Sequence, residues 1–271
     1  MSKLYIVGTP IGNLGDLSSR AKEVLNSVDF VAAEDTRVSS KLVKKPMVSY
    51  YDRQKGQKDV AEKIIERIKA GETCALVTDA GMPAISDPGC DLVKLAIENK
   101  VDIEVIPGPT AFVTALVLSG LPTDEFTFIG FLPSKPSDRK KKLKELKNER
   151  RTLIFYEAPH RIKESLADFA EIFGSSRPAS LSRELTKLHE ETLRMSLGEL
   201  CDFYCSATPR GEYVLVVSGA KEEQKSYTED EAIQLAKSLQ EKDNLPPSLA
   251  AKEAAKITNI PKALIYKSLI K

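Results

Sequence analysis

Three times within its first 112 residues, this chain runs from a short apolar stretch straight into a loop bounded by proline and glycine. The first case is LYIVGTPIGNLGD (Leu4 to Asp16), the second CALVTDAGMPAISDPG (Cys74 to Gly89) and the third VIPGPTAF (Val105 to Phe112). Short β-branched runs that end in turn residues read as buried strands. In an open α/β sheet, ligands bind beyond the carboxyl ends of the strands. The three loops are therefore expected to form the walls of one pocket. Pro10, Pro83, Pro107 and Pro109 fix φ there, while Gly81, Gly89 and Gly108 allow a ligand close to the backbone.

Further strand-like runs, Phe30 to Ala33 and Val48 to Tyr51, alternate with helical patterns. The clearest helix is Val60 to Ala70, with Ala61, Ile64, Ile65 and Ile68 on one face. This alternation predicts a mostly parallel sheet with helices on both faces. The pattern changes near Leu121-Pro122-Thr123, where a second α/β domain of mixed strand direction is expected. Its strands are Phe126 to Phe131, Thr152 to Tyr156, Ala179 to Ser182, Glu191 to Met195 and Gly211 to Val217. Its helices are the basic stretch after Lys135 and one carrying Ile162, Leu166, Phe169, Ala170 and Phe173 on one face. Beyond a polar linker, Ala220 to Tyr227, three short helices are predicted at Glu229 to Glu241, Ser248 to Ile257 and Pro261 to Ile270. Pro261 suits a first helical turn, and Asn259 marks a tight turn like that of a helix-turn-helix, though a docking tail fits the same pattern. The expected division is 1–120, 121–219 and 220–271.

No apolar run reaches the roughly 18 to 20 residues that a membrane helix needs, and the chain opens into a strand with no signal segment. A cytoplasmic location with no membrane contact is the expectation. Net charge is only +1, but Lys135 to Arg151 holds nine cations against three acids, and Leu245 to Lys271 holds five lysines against Glu253. Both are candidate polyanion contacts or solvated faces. Cys74, Cys90, Cys201 and Cys205 form no C-x-x-C pair and are expected as buried free thiols. With only His160 and His189, no metal site is expected.

The first loop is not G-x-G-x-x-G, and the chain lacks both a G-x-x-x-x-G-K-[ST] phosphate loop and the G-x-S-x-G of α/β-hydrolases. What it has is an ordered series: GTPIGNLGD, AAEDTR (Ala32 to Arg37), TDAGMPAISDPG, PGPTAF, GFLPSK (Gly130 to Lys135), FYEAPHR (Phe155 to Arg161), SRELTK (Ser182 to Lys187) and RGEYVLVV (Arg210 to Val217). By these eight motifs, spanning residues 4 to about 219, the chain resembles the tetrapyrrole methylase superfamily. AAEDTR, FYEAPHR and SRELTK are similar to its RNA-modifying branch rather than to the branch acting on porphyrin precursors.

The resemblance implies a class III methyltransferase fold: two α/β domains with a cofactor cleft between them, a small helical C-terminal tail, and a homodimer. It implies S-adenosyl-L-methionine as cofactor. The expected contacts are Pro10, Asp79, Gly81, Met82, Pro83, Ile85, Thr110, Ala111, Tyr156, Gly211 and Glu212. Asp79 has a second reading as a holder of backbone N–H groups in its turn. Met82 stands where many relatives carry threonine. The activity implied is 2′-O-methylation of a cytidine ribose in the decoding region of bacterial 16S rRNA, on the assembled small ribosomal subunit.

Methyl transfer to a ribose hydroxyl is an in-line displacement, so the protein must align donor and acceptor and take up a proton. Candidate bases cluster as Glu34 and Asp35 with Arg37, Glu157 with His160 and Arg161, and Glu184 with Arg183 and Lys187. Asp35, Arg37, Glu157, Glu184 and Lys187 are the expected substrate-side residues, with the base left open among the acids and a structural ion pair as the other reading of each. His160 is expected to cap a helix start. Tyr50, Tyr51 and Phe131 are candidate stacking platforms, with core packing favoured for Phe131. A tetrapyrrole-precursor methyltransferase and a non-catalytic ribosome-assembly factor remain the competing functions.

Overall fold

In the computed structural model, which describes residues 2–51, 57–221 and 227–270, the chain forms two compact units, Met1–Ala220 and Lys221–Lys271. The first unit opens with β1 (Leu4–Val7), α1 (Ser19–Ser27), β2 (Phe30–Ala33), α2 (Thr36–Ser39), β3 (Met47–Ser49) and α3 (Gln57–Lys69). It continues through β4 (Cys74–Val77), α4 (Cys90–Glu98), β5 (Ile103–Ile106) and α5 (Ala111–Ser119). Next come β6 (Phe126–Phe131), α6 (Pro136–Leu146), β7 (Thr152–Glu157), α7 (Ile162–Phe173), β8 (Pro178–Arg183), β9 (Glu191–Ser196), α8 (Leu197–Ser206) and β10 (Tyr213–Val217).

β1 to β5 make one sheet in the order β3-β2-β4-β1-β5, with every pair parallel. Successive side chains of a strand point to opposite faces, and the burial follows that parity. Leu4, Ile6, Phe30, Ala32, Cys74 and Leu76 pack under α3 and α4, through Ile64, Ile68, Leu92 and Ala96. Val7, Val31, Ala33, Ala75 and Val77 pack under Ala21 and Leu25 of α1. With both faces covered, the three central strands β2, β4 and β1 are apolar throughout, as a parallel sheet requires, whereas the edge strand β5 carries Glu104, paired with Lys3.

β6 to β10 make a second sheet in the order β6-β7-β10-β8-β9; β6 and β7 are parallel and the remaining pairs antiparallel. One face, with Leu153, Phe155, Leu181, Leu215 and Val217, is covered by α7 and α8. The other, with Ile154, Val214 and Val216, is covered by Ala115 and Leu116 of α5. The helix that follows β5 thus seals the second sheet, which makes the two sheets parts of one body. α5 is apolar on every side, and its far side leaves Val113 and Val117, one turn apart, exposed to solvent.

The second unit is a separate three-helix assembly: α9 (Glu229–Asp243), α10 (Pro247–Thr258) and α11 (Lys262–Leu269). Ala232, Ala236, Ala251, Ala254 and Ile265 close its small core. Thr228 and Glu231 cap α9 reciprocally, and Asn259, in the left-handed conformation, ends α10. The predicted linker falls mostly outside the described residues.

Several expectations need correction. Only Cys74 is buried, its thiol pushed up to about 12 by desolvation, whereas Cys90 and Cys205 are exposed and Cys201 is half-buried. Pro261 stands at the N-cap of α11 with extended ψ, one position before the first helical turn. His160 does not cap α7; Arg161 holds that position. Tyr50 is a core side chain, and Phe131 is 49 % exposed, the reverse of the expected assignment. Strand order explains the tyrosine: the Tyr50 N–H bonds the Ala33 carbonyl at 2.7 Å, and its ring packs in the α3 face of the sheet.

Candidate functional site

The loops after β1, β4 and β5 leave three neighbouring strands, so they meet at one edge of the first sheet. The first and second are bonded as a two-residue ladder, Thr9 N–H to the Gly81 carbonyl at 2.9 Å and Gly81 N–H to the Thr9 carbonyl at 3.1 Å. The buried Thr9 hydroxyl donates to the Thr78 carbonyl at 3.1 Å. The first and third touch backbone to backbone: a Cβ on Gly108 would stand 2.8 Å from Gly8 main-chain atoms. Only glycine permits that approach.

These loops and the facing edge of the second sheet enclose a cavity of about 280 Å³. From the first half come Ile11, Asp79, Gly81, Met82, Ile85, Asp87, Thr110 and Ala111. The antiparallel pairing of β10 with β7 and β8 sets Tyr213 against Glu157 and Arg183, bringing the end of β7, the start of β10 and the turn after β8 to one edge. Tyr156, Glu212, Val214, Glu184, Leu185 and Lys187 line the cavity from there, with Phe131 from β6. The Phe131 and Tyr156 rings lie 5.4 Å apart, and burial pushes the Tyr156 phenol up to about 12.

The lining is rich in carboxylates. Glu34 accepts the Asp79 N–H at 3.3 Å, and Asp79 in turn accepts the Asp35 N–H at 3.1 Å, locking the β2 and β4 loops together. Burial raises both side-chain pKa values above the usual carboxylate range. Asp87 is raised furthest, to about 7, first by burial and then by Glu34, Glu212 and Asp79. Among the described residues no donor or cation pairs with Asp87 or Glu212. The one cation in the lining, Lys187, is held by Glu184 at 3.0 Å. Glu184 and Thr186 both sit in the left-handed region, a conformation that costs about 1–3 kcal/mol for a non-glycine residue and gathers at functional loops. Gly211 makes room for this turn, because a Cβ there would run into the Glu184 carboxylate.

Of the residues expected from the sequence, Asp79, Gly81, Met82, Ile85, Thr110, Ala111, Tyr156, Glu184, Lys187 and Glu212 line this cavity. Pro10, Pro83 and Gly211 flank lining residues without lining it themselves. Asp35, Arg37 and Glu157 lie outside it. Asp35 caps α2 and chelates Arg37, with Arg37 Nη2 at 2.6 Å, which holds its carboxyl down at about 2; Arg37 itself is 89 % exposed. Glu157 is 3 % exposed and fully engaged: Ala158 N–H at 2.9 Å, Arg161 at 2.7 Å and Ser165 Oγ at 2.5 Å. Arg161 also donates to Ser134 at 2.8 Å, which ties the loop after β6 to the loop after β7. Asp87 was not among the expected residues; the only local signal was its place before Pro88 in a proline-bounded loop.

The basic segment is partly internal. Arg139 is 2 % exposed and bonds Asp168 at 2.6 Å, and Lys140 reaches Glu171 at 2.6 Å. Lys135, Lys141, Lys144 and Lys147 are exposed and make no ion pair among the described residues. No described helix is long and apolar enough to cross a membrane.

Comparison with known proteins agrees with this architecture. A family model described as tetrapyrrole (corrin/porphyrin) methylases matches residues 3–201. The protein "Ribosomal RNA small subunit methyltransferase I" of Xylella fastidiosa strain Temecula1 is 45% identical over 271 residues, covering 97% of each chain. Its namesake from Halalkalibacterium halodurans is 48% identical over 221 residues, covering 80% of this chain and 75% of that one. Among solved structures, uroporphyrin-III C-methyltransferase from Thermus thermophilus, complexed with S-adenyl homocysteine, superposes with a TM-score of 0.55 at 19% identity, covering 79% of this chain and 96% of that one.

Proposed function

Because this chain belongs to the tetrapyrrole methylases, and within them to the family of ribosomal RNA small subunit methyltransferase I, we propose that it methylates the 2′-oxygen of a cytidine ribose in 16S rRNA, using S-adenosylmethionine. The observation that carries the cofactor assignment is the cavity's charge. Glu34, Asp79, Asp87 and Glu212 line one small volume; among the described residues the cation of that lining is Lys187, which Glu184 already neutralises, and Arg37 acts on Asp79 only from outside the cavity. Two of these carboxylates, Asp87 and Glu212, accept no hydrogen bond among the described residues, and a ligand bearing an ammonium and a sulfonium supplies the positive charge that this cluster lacks. Ile11, Ile85, Leu185 and Val214 offer apolar surface for an adenosyl group, and the Thr110 to Ala111 turn offers backbone polar groups.

S-adenosylmethionine, when bound, supplies a methyl group already activated by the positive sulfur. The protein's part is alignment and proton management. Holding donor and acceptor in line is worth roughly 7–11 kcal/mol. Glu184 and Lys187 are the substrate-side residues that reach the cavity wall, and their ion pair is placed to orient the ribose and take up its proton, a contribution on the order of 10²- to 10⁴-fold. Arg37 stands outside the cavity, exposed, with Asp35 fixing its guanidinium; this suits a phosphate of the RNA backbone. Glu157 serves instead to hold the start of α7. Lys141, Lys144 and Lys147, with the lysines of the helical tail, supply further phosphate contacts that set position rather than sequence. A ribosomal RNA substrate supports a cytoplasmic location.

A 2′-O-methyl blocks alkaline cleavage of the adjoining phosphodiester. Small subunits lacking the modification, incubated with protein and cofactor, should gain one alkali-resistant step 3′ of a cytidine. Methyl incorporation that leaves every step cleavable would mean base methylation and would sink the ribose assignment.

A further inference from the structure

Asp87 is one of the carboxylates of the cavity, half-buried, and the methyl-transfer account gives it no role of its own. It lines the cavity, accepts no hydrogen bond and has no cationic partner among the described residues. The groups that act on it are Glu34 from the end of β2, Asp79 from its own loop and Glu212 from the start of β10, all carboxylates, with the Tyr156 phenol at the end of β7 coupled to it as well. Lys187, the cation of the lining, is engaged by Glu184. The preceding Ser86 abuts the bulge at Gly130, where a Cβ would stand 2.8 Å from its hydroxyl.

The two forms of the cofactor differ at one atom that matters here. Before transfer the sulfur is a cation; afterwards it is a neutral thioether, with the ammonium and carboxylate unchanged. Within the proposed methyltransferase reading, on which this step rests, we infer that Asp87 is the residue by which the cavity distinguishes the sulfonium cofactor from its thioether product, giving up a proton as the cation enters. Protonated, Asp87 relieves the repulsion among the four carboxylates of the empty cavity. Ionised against a sulfonium, it gains a Coulombic partner. When the methyl leaves, that partner is lost, the carboxylate takes a proton back, and the product is held more weakly.

Calorimetric titration of the full chain at pH 6.5, in two buffers of different ionisation heat, counts the protons released. Asp87 is mostly protonated there, since its pKa lies at about 7. S-adenosylmethionine should release more than about half a proton and S-adenosylhomocysteine markedly less. Asp87→Asn should abolish the difference and weaken S-adenosylmethionine about tenfold at pH 7.5, leaving the thioether within about twofold. Asp87→Glu should retain the release, which separates a charge effect from damage to the loop. Equal release with both ligands, or undiminished release in Asp87→Asn, overturns the inference while leaving the cofactor assignment intact. Binding of neither ligand overturns both.

Discussion

Asp87, late in the loop after β4, and Glu157, at the end of β7, are both carboxylates, and the fold puts them to opposite uses. The folded chain holds a proton on Asp87 up to about pH 7, whereas the unfolded chain ionises it near 4. The folded state therefore binds more protons between those values, and this group's contribution to stability is present below about pH 4 and lost as pH rises through 7. Asp87→Asn should remove that loss. After allowance for solvent screening the effect is about 1 kcal/mol, so the melting temperature of the variant should gain about 2–4 °C on wild type between pH 4 and pH 8. A constant gap across that range would contradict the assigned pKa. Glu157 is the reverse case, with its oxygens saturated by Ala158, Arg161 and Ser165. Glu157→Ala should cost about 3–5 kcal/mol by stranding Arg161, read as a lower urea midpoint. An unchanged midpoint with lost methyl transfer would return Glu157 to the substrate side. The sequence made Glu157 prominent because His160 and Arg161 follow it. It left Asp87 obscure because the carboxylates that act on it come from β2, β4 and β10, residues 34 to 212, and no local pattern encodes that meeting.

At the level of elements, the cavity depends on loops closed against one another rather than on any single motif. Gly108→Ala would press a Cβ into the Gly8 backbone, which cannot yield as a flexible side chain can. The expected outcome is a folded protein that has lost at least tenfold in cofactor affinity, with overpacking costing about 1–3 kcal/mol in stability. Unaltered affinity would mean that the first and third loops can part without opening the site. Strand positions were plain in the sequence where short, mainly apolar runs stood between polar segments: Phe30–Ala33 and Phe126–Phe131 match to the residue. Mixed direction in the second sheet was also foreseeable. The seal made by α5 was not. Its AFVTALVLS sequence is apolar on all sides, so its pattern could not tell which face packs on β7 and β10. The basic stretch misled in part for a similar reason, because composition counts Arg139 as a surface cation while the fold buries it against Asp168.

For the whole molecule, two features look outward. Val113 and Val117 project from α5, with Val117 71 % exposed, and an apolar helix face left in water is a natural seat for a second copy of the chain. If the homodimer that the family resemblance implies uses it, Val117→Glu should yield monomer by light scattering at micromolar concentration; an unchanged dimer would put the interface elsewhere. The helical tail carries exposed Lys252, Lys256, Lys262 and Lys267, which the sequence already marked. The most direct test of the account is methyl transfer from labelled S-adenosylmethionine to small ribosomal subunits lacking the modification, with naked 16S rRNA and a tetrapyrrole precursor as parallel acceptors. The account predicts label on a cytidine ribose of the assembled subunit and none on the tetrapyrrole. Label on the tetrapyrrole alone, or on no acceptor despite bound cofactor, would contradict it.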